Sequence, residues 1–270
     1  MKTRALAIYT VRHTLRSKSM IAGLAVSLLY LAVIPLLSTA GGGGAMAGAG
    51  DRGIAGAQFL NFALGGLNLI GMFMAVFVSL GSVHDEIERG MMATLVTKPM
   101  RRSQVIIGRW AGYALLMTGY VLIVGLSLWL TVALDTGQPF WSYIPALGLA
   151  CLNVVTMVTL TYAISVFMPA TANAIFAFLI FGVTASLSLL NIAGAGDGIG
   201  MRIVGNLFRL SLPVGEVGDQ MRRLLRFRPR TTPITPAYLI PRGWSFLYEI
   251  VYIGALLLLV VTVFGKRDLD

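Results

Sequence analysis

Few residues in this chain of 270 have the types and spacing that catalysis needs. The histidines are His13 and His84, and no Gly-x-Ser-x-Gly turn that would present a nucleophile occurs. A hydrolase needs a nucleophile with a base beside it, so the sequence argues against an enzyme. His84 stands beside Asp85, Glu86 and Glu88. One histidine with flexible carboxylates is weak evidence for a metal ion, so we expect a solvated charged cap and no metal.

Polar side chains inside long apolar stretches are the second group of candidates. Side chains of this kind in a membrane face other helices or a cavity, so they could line a path across the bilayer. Asparagine and threonine also serve as contacts between helices, and the sequence leaves that alternative open. The candidates that share a helical face are Asn61 and Asn68 in one stretch, and Asn153, Thr156 and Thr159 in another.

Glu249 is an acidic residue near the outer end of the last apolar stretch. An unpaired carboxylate inside hydrocarbon is costly. We therefore expect Glu249 to pair with an arginine of the preceding loop, such as Arg242, or to lie at the level of the lipid headgroups. A proton relay is the weaker alternative, because the sequence offers no second acid beside it.

The composition indicates that most of the chain lies in a lipid bilayer. Only 12% of the residues are charged, whereas soluble domains carry about 25%. Several apolar stretches reach about 20 residues, which is the length of a membrane-spanning helix. The net charge of +10 is spread between these stretches, so anionic lipid is a simpler partner than nucleic acid. The single cysteine, Cys151, excludes a disulfide within one chain.

The apolar periodicity predicts an all-α, polytopic membrane protein that forms one transmembrane domain over residues 1–270. Lipid-exposed spans must be helical, since an open sheet leaves its backbone unpaired there. An interfacial helix is predicted over 1–18. The first apolar run is too long for a signal-peptide core, the alternative at this position. The six predicted spans lie near 20–38, 58–83, 106–134, 142–167, 172–192 and 244–264.

Lysine and arginine counts predict the direction of the spans. With the N-terminus in the cytoplasm, the cytoplasmic segments hold twelve basic residues, and the two short outer loops hold only Arg52. Positive residues in short loops stay cytoplasmic, so both termini are predicted inside. This arrangement places the loop 193–243 outside although it has eight arginines. At about 50 residues that loop approaches the length at which the rule weakens.

The cytoplasmic segment 85–104 has a pattern suited to a partner-binding helix. It has helix-forming residues through Val96, a stop at Pro99 and a mixed pattern of acidic and basic residues. The alternative is a solvated loop whose charges only set the topology.

In this segment the chain resembles the membrane subunits of ABC transporters of the second exporter class. The resemblance rests on two acids one residue apart, a glycine, a proline nine residues later, an arginine three further, and a glycine-basic pair. These features are Glu86, Glu88, Gly90, Pro99, Arg102, Gly108 and Arg109. The chain departs from the family pattern at Met91-Met92 and in having arginine at 109. The resemblance implies a coupling helix that docks on a separate ATPase through Asp85, Glu86, Glu88, Arg89, Gly90, Met92, Leu95, Pro99 and Arg102.

The function that this resemblance implies is that of a permease subunit in an ATP-driven exporter. No Gly-x-x-x-x-Gly-Lys-Ser/Thr sequence occurs, so we expect ATP and Mg²⁺ on the partner ATPase and no cofactor on this chain. The expected partners are two ATPases, a second permease subunit and membrane lipid, in the plasma membrane. The alternative is a non-transporting scaffold or signalling anchor that holds a cytoplasmic partner through the same segment.

Overall fold

The protein is helical throughout the part that the structure describes. A computed structural model describes residues 2–15, 18–40, 49–80, 102–137, 140–193 and 245–266, and these contain no strand. The prediction of an all-α fold is confirmed. The helices are α1 (Lys2–Leu15), α2 (Lys18–Ala40), α3 (Ala49–Ser79), α4 (Arg102–Thr136), α5 (Tyr143–Ile164), α6 (Ala170–Ala193) and α7 (Ser245–Lys266).

Four of these helices are long and apolar enough to cross a bilayer. The spans are Phe62–Ser79 in α3, Ser103–Leu134 in α4, Tyr143–Ile164 in α5 and Phe246–Val263 in α7. Shorter apolar segments, Gly23–Val33 and Ala170–Ile180, lie in α2 and α6. Each of the six predicted spans therefore coincides with a helix. The chain is a multi-pass membrane protein, and crossings beyond these four stay a prediction.

Helix α5 lies at the centre of the described helices and packs against α3, α4 and α7. Of the residues in its span, 72% are buried, the largest share among the four spans. Glycines bring the neighbours close: a Cβ on Gly71 of α3 would lie 3.0 Å from Val154 Cγ2, and Gly125 of α4 faces Leu147. Small residues at such crossings are typical of helix packing in lipid. The side chains of α5 are thus the ones that can link several helices.

Helix α7 lies at the edge of this group, with 11% of its span buried. One stripe faces inward, formed by Glu249, Ile253 and Val260 with the half-buried Leu256. These positions repeat at helical spacing and place the acid in line with the apolar contacts. Leu247, Val251 and other apolar side chains on the outer face are exposed, as expected for a surface that meets lipid.

Helix α1 packs against α4, but not through the face that the sequence suggests. The predicted apolar face consists of Ile8, Val11 and Leu15, yet Ile8 is 62% and Leu15 45% exposed. The buried positions are Thr10 and Thr14, with Val11 beside them. The reason is that the contact with α4 turns the threonine stripe inward and leaves the apolar stripe facing outward. The position of α1 at the membrane surface stays a prediction.

The chain segments before and after α5 fix the positions of the adjoining helices α4 and α6. Helix α4 ends at Gly137, which has φ 67° and donates its N–H to Ala133 O at 3.0 Å. Glycine adopts this left-handed conformation without strain and commonly ends helices. After α5, Asn173 of α6 donates its side-chain amide to Thr161 O at 3.1 Å. This bond fastens the start of α6 to the end of α5.

A candidate intramembrane polar site

Two asparagines that the sequence places in different spans meet between α3 and α5. Asn153 Nδ2 donates a hydrogen bond to Asn68 Oδ1 at 3.1 Å and lies 3.8 Å from Met72 Sδ. Asn153 is 1% exposed, and Asn68 is half-buried. Their role in lining a path stays a prediction, because the same contact also serves the packing of two helices.

One turn further along α5, Thr156 contacts Glu249 of α7. The distance between Thr156 Oγ1 and Glu249 Oε1 is 2.8 Å. Both residues are buried, with Glu249 at 0% exposure. The interhelical contacts of Asn153 and Thr156 therefore join α3, α5 and α7. We call the set formed by Asn68, Asn153, Thr156 and Glu249 the polar cluster.

The polar cluster lies within the candidate membrane spans of α3, α5 and α7. Thr156 is thirteen residues from the first residue of α5 and eight from the last, which corresponds to about 20 Å and about 12 Å along the helix axis. Glu249, which contacts Thr156, is four residues from the first residue of α7, about 6 Å along that helix. Its described partner is Thr156 of α5, and its position relative to the headgroups stays a prediction. Arg242, the suggested partner, lies outside the described residues.

Two oxygen atoms of the polar cluster are buried without a hydrogen-bond partner among the described residues. They are Asn153 Oδ1 and Glu249 Oε2. Both atoms are acceptors in their usual forms. Buried polar atoms are nearly always paired, so the polar cluster has two acceptor atoms that lack a donor among the described residues. Such a site is suited to a ligand that brings a proton or a positive charge.

The described residues hold no group of three or more metal-ligating side chains. One carboxylate, one threonine and one asparagine do not form the kind of ligand set that transition metals usually prefer. The described groups of this site can form hydrogen bonds and bind a proton.

Thr159 takes part in a different contact. Its Oγ1 accepts a hydrogen bond from Trp110 Nε1 of α4 at 2.9 Å and lies 2.7 Å from Val155 O. This geometry joins α4 to α5, and Thr159 is not among the residues that contact Glu249. Asn61 lies in α3, but its side chain is outside the described residues.

Most of the predicted coupling segment also lies outside the described residues. Asp85, Glu86, Glu88, Arg89, Gly90, Met92, Leu95 and Pro99 belong to that part of the chain. Arg102 is the first residue of α4. The ATPase-contacting role of these residues stays a prediction.

Glu249 is the functional candidate whose burial the sequence reasoning missed. A periodic signal was present, because Glu249, Ile253, Leu256 and Val260 recur at helical spacing in α7. In a helix that is apolar on all sides, however, the inward-facing stripe is no more hydrophobic than the lipid-facing side, so the sequence does not distinguish the two. The inward direction becomes visible only from the packing against α5.

The spans and the buried polar cluster define the class of this molecule, a multi-pass helical membrane protein. The sequence profile described as ABC-2 family transporter protein matches residues 11–269, nearly the whole chain. The chain belongs to that family, and the resemblance seen in segment 85–104 is confirmed at the family level. A search of curated proteins finds no match to this chain.

Proposed function

We propose that this chain is the permease subunit of an ATP-driven exporter and works with a separate ATPase subunit. The observation that carries the proposal is the family match over residues 11–269. Members of the family generally act as transporter permeases beside an ATPase, and they are not catalytic themselves. Four membrane spans around a buried polar cluster support a role in moving a solute across the bilayer.

The proposed link to the ATPase is the cytoplasmic segment 85–104. Its apolar Met92 and Leu95, flanked by Glu86, Glu88 and Arg89, suit a helix held by packing and complementary charge. The segment continues into α4, which packs against α5. If the ATPase displaces the segment, α4 moves with it because the two are continuous in the chain. The movement then reaches α5, the helix that carries Asn153 and Thr156, because α4 packs against it.

The proposed path runs along α3, α5 and α7. Asn68, Asn153 and Thr156 provide polar atoms between these helices, and Glu249 adds the only acidic side chain among those that the structure describes. Asn61 and Thr159 stay sequence predictions for this path. Of the two path helices that pack against α5, α7 has 11% of its span buried and α3 has 56%, so α7 can move from α5 with the smaller loss of packing.

We further propose a plasma-membrane location with both termini in the cytoplasm, and assembly of two permease subunits with two ATPases. The twelve-to-one distribution of basic residues over the short segments supports this direction. Export then follows from closure of the ATPases, which opens the path to the outside.

The test is purification of the full chain from its native membrane in a mild detergent, followed by identification of its partners. We expect a P-loop ATPase in equal amount, whose ATP hydrolysis is higher in the complex than alone. Insertion of two glycines beside Thr94 should abolish this stimulation while the spans stay inserted. A stable partner without ATPase activity would contradict the proposal and favour the scaffold or signalling anchor.

A further inference from the structure

Buried hydroxyl groups in this fold follow a consistent proton pattern. Thr159 Oγ1 lies 2.7 Å from Val155 O and accepts from Trp110 Nε1. A threonine hydroxyl has one proton, so Thr159 donates to its own helix and accepts from its neighbour. Ser27 of α2 has the same arrangement, 2.6 Å from Gly23 O and in contact with Tyr120 OH. For Thr159 the neighbouring helix supplies the second proton, and for Ser27 it does so when Tyr120 is the donor.

Thr156 has the same two contacts, but its neighbour is a carboxyl group. Thr156 Oγ1 lies 3.0 Å from Leu152 O and 2.8 Å from Glu249 Oε1. The hydroxyl can donate to only one of these oxygens. Both short distances are satisfied at once if Thr156 donates to Leu152 O and Glu249 donates to Thr156. Glu249 can donate only when its carboxyl group carries a proton.

The environment of the second carboxyl oxygen of Glu249 is also consistent with a protonated carboxyl group. Glu249 Oε2 is buried and has no partner among the described residues. An ionised carboxylate has about four acceptor sites, of which this geometry would satisfy one. Burying such a charge without a counter-charge is far costlier than burying a neutral carbonyl oxygen. We propose that Glu249 and Thr156 form an intramembrane proton-binding site, with the proton on Glu249 Oε1 donated to Thr156 Oγ1.

Among the described residues, the surroundings of the site contain little charge that could replace this proton. Helix α7 packs chiefly against α5 and α4. The ionisable side chains described there are Tyr143, Cys151 and Tyr162 on α5, Arg109, Tyr113 and Tyr120 on α4, and Tyr248 and Tyr252 on α7. Only Arg109 among them is charged at neutral pH. It is within electrostatic range of Tyr162, and Tyr162 lies about 9 Å along α5 from Thr156.

The proton site has a consequence for transport that rests on the proposed function. Glu249 contacts α5 in the polar cluster, and the proton is held only while α7 stays against Thr156. Separation of these helices would admit water and release the proton. The site would therefore exchange a proton during each cycle, whereas the binding itself needs neither ATP nor the ATPase.

Infrared difference spectroscopy of the full chain in lipid nanodiscs tests the binding directly. A protonated carboxylic acid has a carbonyl stretch that is resolved from the carboxylate bands. At neutral pH we expect this acid band in the wild type and its loss in Glu249→Gln. Thr156→Val should shift the band by removing its hydrogen-bond partner. Thr161→Val is the matched control and should leave it unchanged, because Thr161 Oγ1 donates only to Met157 O in its own helix, at 2.9 Å.

Further arms keep the test decisive if a variant folds poorly. Glu249→Asp should retain an acid band at a shifted position, and each variant is compared with the wild type by its thermal unfolding midpoint. Identical spectra for the wild type and Glu249→Gln at neutral pH would overturn the proposal. So would an acid band that disappears when sodium replaces a bulky organic cation, since the site would then hold a metal ion. Neither result bears on ATPase coupling, so this test is separate from that of the proposed function.

Discussion

Trp110 of α4 is hydrogen-bonded to Thr159 of α5 at 2.9 Å, one turn beyond the Thr156 that contacts Glu249. Neighbouring turns of α5 are therefore linked to two different helices. The α4 contact lies on the proposed route from the cytoplasmic segment, and the α7 contact belongs to the polar cluster. Under the proposed function, a movement of α4 reaches Glu249 through α5 as well as through the direct contact of α4 with α7.

The first prediction concerns the Trp110–Thr159 hydrogen bond. Trp110→Phe should lower the stability of the protein in detergent by about 1 kcal/mol more than Trp129→Phe. Both indoles are half-buried, but Trp129 Nε1 has no hydrogen-bond partner among the described residues. The two changes remove the same atoms, so their difference isolates the hydrogen bond. Equal thermal unfolding midpoints would contradict this assignment.

The second prediction concerns the contact between α5 and α7. Thr156→Val should destabilise the protein by about 1–3 kcal/mol, because it leaves a buried carboxyl group without its partner. Thr161→Val, in the same helix and also buried, should have a clearly smaller effect. Chemical unfolding curves of both variants in the same detergent provide the comparison. A cost for Thr161→Val equal to that for Thr156→Val would argue against the interhelical bond.

The third prediction uses two adjacent glycines of α3. A Cβ on Gly66 would lie 2.8 Å from Tyr30 Cζ, whereas nothing lies within 4 Å of a Cβ on Gly65. Tyr30 is held in place by donating to Ala63 O at 2.7 Å. Gly66→Ala should therefore cost about 1–3 kcal/mol from overpacking. Gly65→Ala should be neutral or stabilise the helix by about 0.5–1 kcal/mol.

The measurement for this pair is the thermal unfolding midpoint, read together with the fluorescence of the tyrosines. If the unfolding midpoint of Gly66→Ala equals that of the wild type, α2 and α3 are not packed as described.

The fourth prediction concerns the direction of the chain in the membrane. The native Cys151 is buried, so it gives little background in cysteine labelling. Arg226→Cys should react with a membrane-impermeant maleimide added to intact cells, because the loop 193–243 is predicted outside. Lys98→Cys should react only after the membrane is opened. Labelling of position 226 only from the cytoplasmic side would refute the predicted topology.

The sequence was sufficient for the fold class but only for part of the site. Apolar length alone locates the helices, since bilayer thickness sets their size. It also placed Asn68 and Asn153 on inward faces, because polar groups avoid lipid. The partner of Glu249 was not accessible in this way. Which helix lies against α7 is a long-range packing result, and no local pattern encodes that Thr156 of α5 faces residue 249.

The most direct test of the exporter proposal is the ATPase activity of the purified complex after charge reversal in segment 85–104. Glu86 and Glu88 are two residues apart, so on a helix they point in different directions and Arg89 cannot pair with both. We therefore expect at least one of them to face a partner. The account predicts that Glu86→Lys combined with Glu88→Lys reduces association with the ATPase and its stimulation, and changes their salt dependence. Unchanged subunit ratio, stimulation and salt dependence in the double variant would contradict the account.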